Sequence, residues 1–245
     1  MNATLSKFQT VLDMAQAEGL ITRNPVRLVK RLKGAKAVHK LWTDEEEKAF
    51  FELADQDRLA AVLDLFSRAL RPEEVCGVRW DVISFTARTV DIGNHVRTMV
   101  EGEPIEKRAK TEAGIRMLPL DDDLTNKLKL WREQQATEKR AAGEAYMEGS
   151  DGGYVLCDEL GAPWMPDKLR RYLRSIMRRA EVSKITPYEA MRHAAASRMA
   201  RHGVPAQDIA AWIGHTDPSF TYRVCVHSRP DDLGEARDAL DRKAK

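Results

Sequence analysis

Arg71, Lys110, Arg192 and His215 are the residues of this 245-residue chain whose types and surroundings suit one piece of chemistry. Arg71 stands in a turn ahead of Pro72 and two acids, a helix start. Lys110 stands in the turn of a hairpin, AKTEAGIRMLPL. Arg192-His193 opens a helix, and Gly214-His215 ends another. Two planar guanidinium groups can hold the non-bridging oxygens of a phosphate bidentately. An ammonium can give a proton to a leaving oxygen. His215, Cys225 and His227 lack the spacing of a known zinc set, so no metal ligand is expected. The residues therefore predict a phosphate site. A competing reading of GVPAQDIAAWIGHTDPSFTYRV is a helix-turn-helix, whose apolar and glycine spacing it shares.

Several elements must bring these residues together. Leu5, Phe8, Leu12 and Ala15 repeat at helical spacing, and Asn24-Pro25 breaks that helix. The basic stretch that follows predicts a short helix and then a linker around Gly34. Thr43 and Glu46 predict a capping box, and Asp57–Leu70 a second helix. Val82–Phe85, Thr89–Ile92, Val96–Val100 and Ile115–Leu120 are β-rich, and predict a small antiparallel sheet of about three strands. Helices are expected at 122–142, 166–180, 188–202, 205–213 and 218–227. The predicted fold class is α+β, mostly α-helical, with that sheet at the edge.

Net charge is only +2, but its distribution is uneven. Seven Lys/Arg and no acid lie between Ile21 and Thr43, and seven against one acid between Lys168 and Lys184. Arg23, Arg27, Lys30, Arg31 and Lys36 from the first run, with Arg170, Arg171, Arg174 and Arg178 from the second, are candidate phosphate-backbone contacts. The alternative for each run is a solvated helix face. Aromatics make up 7% of the chain, which argues against a β-rich aromatic binding module. There is no apolar run near the ~20 residues of a membrane span. The three cysteines make no paired framework. A soluble, cytoplasmic, reduced protein is expected.

The boxes around these residues carry a family resemblance. RALRPEEVCGVRW resembles the first-arginine box of the tyrosine recombinases (phage integrases), and KTEAGIRMLPL their lysine hairpin. RHAAASRMARHGVP, with the distance to IGH and the HTDPSFT after it, resembles their second-arginine and histidine boxes. The likeness runs in consistent order over residues 43–230. Residues 4–33, with EGLITRNP at 18–25, resemble the last helix of the family's core-binding domain, which implies 1–33 as its C-terminal remnant, 34–42 as a basic linker and 43–245 as the catalytic domain. The resemblance implies cleavage of duplex DNA without metal or cofactor, through a 3′-phosphotyrosyl intermediate. It implies that Arg71 and Arg192 clamp the scissile phosphate and that Lys110 protonates the 5′ leaving oxygen. It also implies a hydrogen bond from His215 to the phosphate and a homotetramer on DNA formed from monomers, nucleoid-associated in a bacterial host. Glu74 is expected to buttress the turn of Arg71.

Two positions depart from the family pattern. Three residues before the second arginine the family has histidine, and Glu189 stands here. The loop is also one residue longer than TPxxLRH, which offers Tyr188 for the same place. In relatives with HxDPSFTxRVYxH the tyrosine falls ten residues after the histidine, and here that position is Cys225. Tyr222 lies nearly a helical turn earlier. Cys225 leaves three readings open: a natural loss of the nucleophile, an engineered substitution, or a thiol nucleophile shorter than the phenol. The expected function is a tyrosine-recombinase-type strand transferase with an altered nucleophile position. A non-catalytic DNA-binding regulator on the same scaffold, or an unrelated helix-turn-helix protein, is the alternative.

Overall fold

The computed structural model describes residues 2–30, 41–147, 153–186 and 188–216. The chain divides into two units, residues 1–39 and 40–245. In the first, helix α1 spans Asn2–Ala17 and a 3-10 turn spans Pro25–Leu28. Asn24 joins them: its amide donates to Gln9 O at 2.9 Å and Asp13 Oδ1 at 2.7 Å, while its Oδ1 accepts from Val26 N at 2.9 Å. The break expected at Asn24-Pro25 is thus the tie that folds the chain back on α1.

The second unit opens with α2 (Asp44–Ala54). Thr43 Oγ1 accepts from Glu46 N at 3.2 Å and Glu46 Oε2 from Thr43 N at 2.9 Å, the expected capping box. Helix α3 runs only from Ala60 to Ser67, shorter than the predicted 57–70. Asp57 holds the entry as a turn, its carboxylate accepting from Leu59 N at 2.9 Å. The exit is forced by Ala69, which is left-handed at φ 69°. That reversal ends α3 and starts α4 (Pro72–Gly77) three residues on, with Arg71 at the junction. Residues Ala61–Phe66 of α3 are all buried, Asp64 included, so α3 is the central rod of the core.

The β region contains the expected small antiparallel sheet of three strands, together with a separate two-stranded hairpin. Strands β1 (Ile83–Ser84), β2 (Thr89–Ile92) and β5 (Arg116–Pro119) form an antiparallel sheet in the order β1-β2-β5. Strands β3 (Val96–Val100) and β4 (Glu103–Lys107) pair only with each other, as a hairpin inserted between β2 and β5. The inserted hairpin has no continuous apolar alternation, and it docks on charge. Glu106 accepts from Arg79 at 2.7 Å and from the Tyr154 hydroxyl at 2.5 Å, and lies 2.8 Å from His95 Nδ1.

Helix α5 (Asp122–Ala142) buries Leu124, Leu128, Trp131 and Gln135 at helical spacing against α3. Helix α6 (Pro166–Arg179) buries Leu169, Leu173, Ile176 and Met177, which turns its arginines outward. The helix expected over 188–202 is a π-helical turn, Tyr188–His193, leading into α7 (Ala194–Arg201). A π-turn absorbs one extra residue, which suits the additional residue in the loop before Arg192. Helix α8 (Ala206–Ile213) closes the described fold. The helix expected at 218–227 lies outside the described residues. No described helix is long and apolar enough to cross a membrane.

Candidate phosphate site

Arg71, Arg192 and His215 meet where α8 ends. Gly214 is left-handed at φ 70°, and a Cβ there would lie 2.8 Å from Ala113 O and 3.1 Å from Arg116 Nη1. Only glycine supplies both that conformation and that space. The turn presents the carbonyls of residues 212–214 to three arginines. Arg71 Nη2 donates to Gly214 O at 3.1 Å, and Arg116 Nε to Trp212 O at 2.6 Å. Arg192 donates through Nη2 to Ile213 O and through Nη1 to Ala69 O at 2.6 Å. The left-handed Ala69 is what aims that carbonyl inward.

Arg192 is 2% exposed, whereas the Arg71 side chain is 36% exposed. Arg71 is thus the guanidinium available at the surface, and Arg192 is the buried brace behind it. Glu74, 2% exposed, accepts from Arg71 N at 2.8 Å and Arg71 Nη1 at 2.6 Å. It also accepts from Arg116 Nη1 and Nη2, both at 3.1 Å. Burial by itself raises the Glu74 carboxyl pKa. The Arg116 hydrogen bonds, with the charges of Arg116 and Arg71, outweigh that and hold it below the usual range. The buttress expected at Glu74 is therefore the shared anion of two arginines.

Burial, and then the electrostatic influence of Arg192, Arg71, His193 and Arg116, push His215 down to about 4. At neutral pH it is an uncharged imidazole, able to donate a hydrogen bond to a phosphate without carrying charge. The folded value lies below the ordinary 6.5, so the unfolded chain takes up the proton first. Stability from the neutral ring is whole above about 6.5 and drains as pH falls towards 4. Urea melts of the parent and of His215→Asn between those limits will show a steeper acid loss in the parent. Equal slopes would refute this.

Lys110 is exposed, in the loop between β4 and a 3-10 turn at Glu112–Gly114. That loop is seated on both neighbours. Ala109 N donates to Gly93 O at 2.7 Å, and a Cβ on Gly93 would strike Gly114 O at 2.1 Å. The loop bearing Lys110 therefore abuts the His215 turn, through Ala113 against Gly214. Glu189 turns back on its own helix start: Oε2 accepts from Thr186 N at 2.9 Å, and Glu189 N donates to Thr186 Oγ1 at 3.2 Å. This is a capping box, which aims the carboxylate at the backbone. Cys225, Tyr222, Arg31 and Lys36 lie outside the described residues.

The basic runs separate by unit. Arg23, Arg27 and Lys30 are exposed on the first, with Arg27 paired to Asp13 at 2.9 Å. On α6, Arg171, Arg174 and Arg178 are exposed, while Arg170 is held by Glu73 and by Asp167 at 2.8 Å. Two residues of the site escaped the sequence reading. Arg116 was visible only as a charge in a strand that should be apolar, and Ala69 carried no signal, because its φ is a tertiary outcome. No group of three or more His, Cys, Asp or Glu suited to a metal ion occurs among the described residues.

A family model described as the phage integrase family matches residues 40–231. The tyrosine recombinase XerC-like protein of Caldanaerobacter subterraneus subsp. tengcongensis is 28% identical, over 95% of this chain and 63% of its own. The ICEBs1 integrase of Bacillus subtilis is 25% identical, over 98% of this chain and 65% of its own. This chain thus spans less than two thirds of the length of either curated relative. Among solved structures, the Tn1549 transposon integrase in complex with transposon right end DNA superposes with a TM-score of 0.78 at 17% identity. That match covers 98% of this chain and 78% of the other. A lambda integrase dimer bound to a COC' core site superposes with a TM-score of 0.56 at 16% identity, covering 94% and 72%. At such identities these structures share the fold.

Proposed function

Since the chain belongs to the phage integrase family, we propose that its second unit is a duplex-DNA strand-transfer domain of the tyrosine-recombinase type, whose nucleophile position holds Cys225. The observation that carries this is the convergence of Arg71, Arg192 and His215 on the turn after α8, with the Lys110 loop against it. Arg71, braced by Glu74, grips the scissile phosphate. Arg192 fixes the turn and adds its charge, so that the two cations oppose the negative charge gathering on phosphorus. His215 donates to a phosphate oxygen, and Lys110 gives a proton to the departing 5′ oxygen. Arg171, Arg174 and Arg178 on α6, with Arg170, contact backbone phosphates. Residues 1–33 are the closing piece of a core-binding module, and 34–42 the linker from it. Further copies of the chain complete a tetramer on paired sites, in the nucleoid of a bacterial host.

Cys225 favours a second reading on the same scaffold, a protein that binds DNA and orients its phosphate without cutting it. Both readings require duplex binding driven by counterion release. Fluorescence anisotropy with a labelled duplex will show affinity that falls steeply with salt. The expected loss is about a thousandfold or more between roughly 50 and 200 mM, the response of a protein making some six or more phosphate contacts. Reversing Arg171, Arg174 and Arg178 to glutamate will flatten that slope. No binding at low salt would remove both readings.

A further inference from the structure

Arg116 has no place in the chemistry proposed above, yet its guanidinium bonds to three stretches of chain around the site that performs it. Its side chain is 8% exposed. Nε donates to Trp212 O at 2.6 Å, Nη1 to Glu74 Oε1 and Gly114 O, each at 3.1 Å, and Nη2 to Glu74 Oε2 at 3.1 Å. Those acceptors belong to three separate stretches of chain. Glu74 sits one turn into α4 behind Arg71, Trp212 precedes the turn of His215, and Gly114 closes the loop that carries Lys110. Arg116 itself opens β5, which is clamped to β2 by the pairing of Arg116 with Ile92. One rigid planar fork thus ties the Arg71 helix, the His215 turn and the Lys110 loop to the sheet.

We propose that Arg116 is a positioning residue for phosphoryl transfer, holding the Lys110 loop and the His215 turn at fixed reach from Arg71. The contact set supports this role over that of a plain buried ion pair. A pair with Glu74 would need only two of the bonds. The other two go to backbone carbonyls of the elements that carry His215 and Lys110. Lysine in this place keeps the charge and loses the fork, because an ammonium cannot meet acceptors in three directions with planar geometry. Displacement of a reacting group by about 1 Å costs roughly 100-fold in rate.

The inference rests on the phosphate-site reading, so its test uses the full chain carrying Cys225→Tyr, with Arg116→Lys and Arg116→Met added separately. Three measurements are made: amide hydrogen exchange of the free protein, NMR titration of His215, and the rate of covalent capture of a nicked duplex at saturating concentration. Exchange is expected to quicken at residues 109–115 and 212–215 in both variants, with α5 and α6 unchanged. The His215 midpoint is expected to rise in Arg116→Met, where a neighbouring cation is lost, and to rise less in Arg116→Lys. Capture is expected to slow roughly 100-fold in both, with DNA affinity preserved. Should Arg116→Met fail to fold, Arg116→Lys carries the test alone. Exchange and capture like the parent's would overturn the proposal. So would exchange rising evenly over the whole domain, the mark of a residue that only stabilises. If the Cys225→Tyr chain captures nothing, the phosphate-site reading fails, and local exchange and the His215 titration then decide whether Arg116 is the tether.

Discussion

The Cys225→Tyr variant will trap a nicked duplex as a covalent adduct that survives denaturing electrophoresis, and the parent chain will not. Reach is the reason. In relatives sharing HxDPSFTxRVYxH the attacking phenol stands ten residues after the histidine, and that position is Cys225 here. A cysteine sulfur sits one bond beyond Cβ, whereas the tyrosine oxygen lies across a whole ring, so a thiol at this position has much the shorter reach. With tyrosine installed, the phenol oxygen bonds to phosphorus while its proton passes to a neighbouring base. The bond from phosphorus to the 5′ oxygen breaks, and Lys110 supplies the proton that this oxygen takes up. Attack by another 5′-hydroxyl reverses each step. Adding Glu189→His places an acid–base group three residues before Arg192 and raises the rate further, by up to ~100-fold. It also removes the cap on Thr186 N, at a cost of about 1 kcal/mol in stability. A thiol-linked adduct in the parent would sink this account, and an adduct through Tyr222 would show that the spacing argument was wrong. Failure of the double variant on bound DNA would show that the pocket is not competent.

Glu74→Ala will lower the unfolding free energy by about 3–5 kcal/mol, the loss expected when one partner of a buried ion pair is removed. The carboxylate is 2% exposed and is the anion shared by Arg71 and Arg116, so its removal strands the guanidinium of Arg116 in the interior. The pH dependence follows in sign. The folded carboxyl titrates below its ordinary 4.5, so its contribution is whole above about 4.5 and is lost as pH falls through the folded value. Denaturant melts at pH 7 and pH 4 will show the gap between parent and Glu74→Ala narrowing in acid. A gap of less than about 1 kcal/mol at pH 7 would mean that the arginines find other acceptors, as surface pairs do.

Much of the site was legible because it is built from local signals. The Thr43–Glu46 box, Pro72 after Arg71 and the glycine before His215 each announce an element end within a few residues, and an element end is where an exposed functional side chain can be held. The amphipathic pattern of α5 and α6 was equally plain, since burial of one face repeats every three to four residues. The β region was less so. Periodicity marks a strand but does not say which strand it meets, and Val96–Val100 pairs with Glu103–Lys107 instead of joining the sheet of Thr89–Ile92.

The sequence by itself carried the family likeness, the order of its boxes and the place of Cys225 ten residues after His215, because these depend on residue type and spacing alone. The tertiary structure decided how the arginines divide their work. Arg71 and Arg192 read as equal clamps until packing buries one and leaves the other half open, with a left-handed Ala69 and a left-handed Gly214 aiming carbonyls at both. Glu189 is the exception: its turn back to Thr186, three residues away, is a local capping box. The tertiary structure also made Arg116, a lone charge in a short strand, the joint of three distant segments. Such roles arise from contacts between residues 42 to 143 positions apart, as in Arg116 to Glu74 and Arg71 to Gly214, where no local pattern reaches.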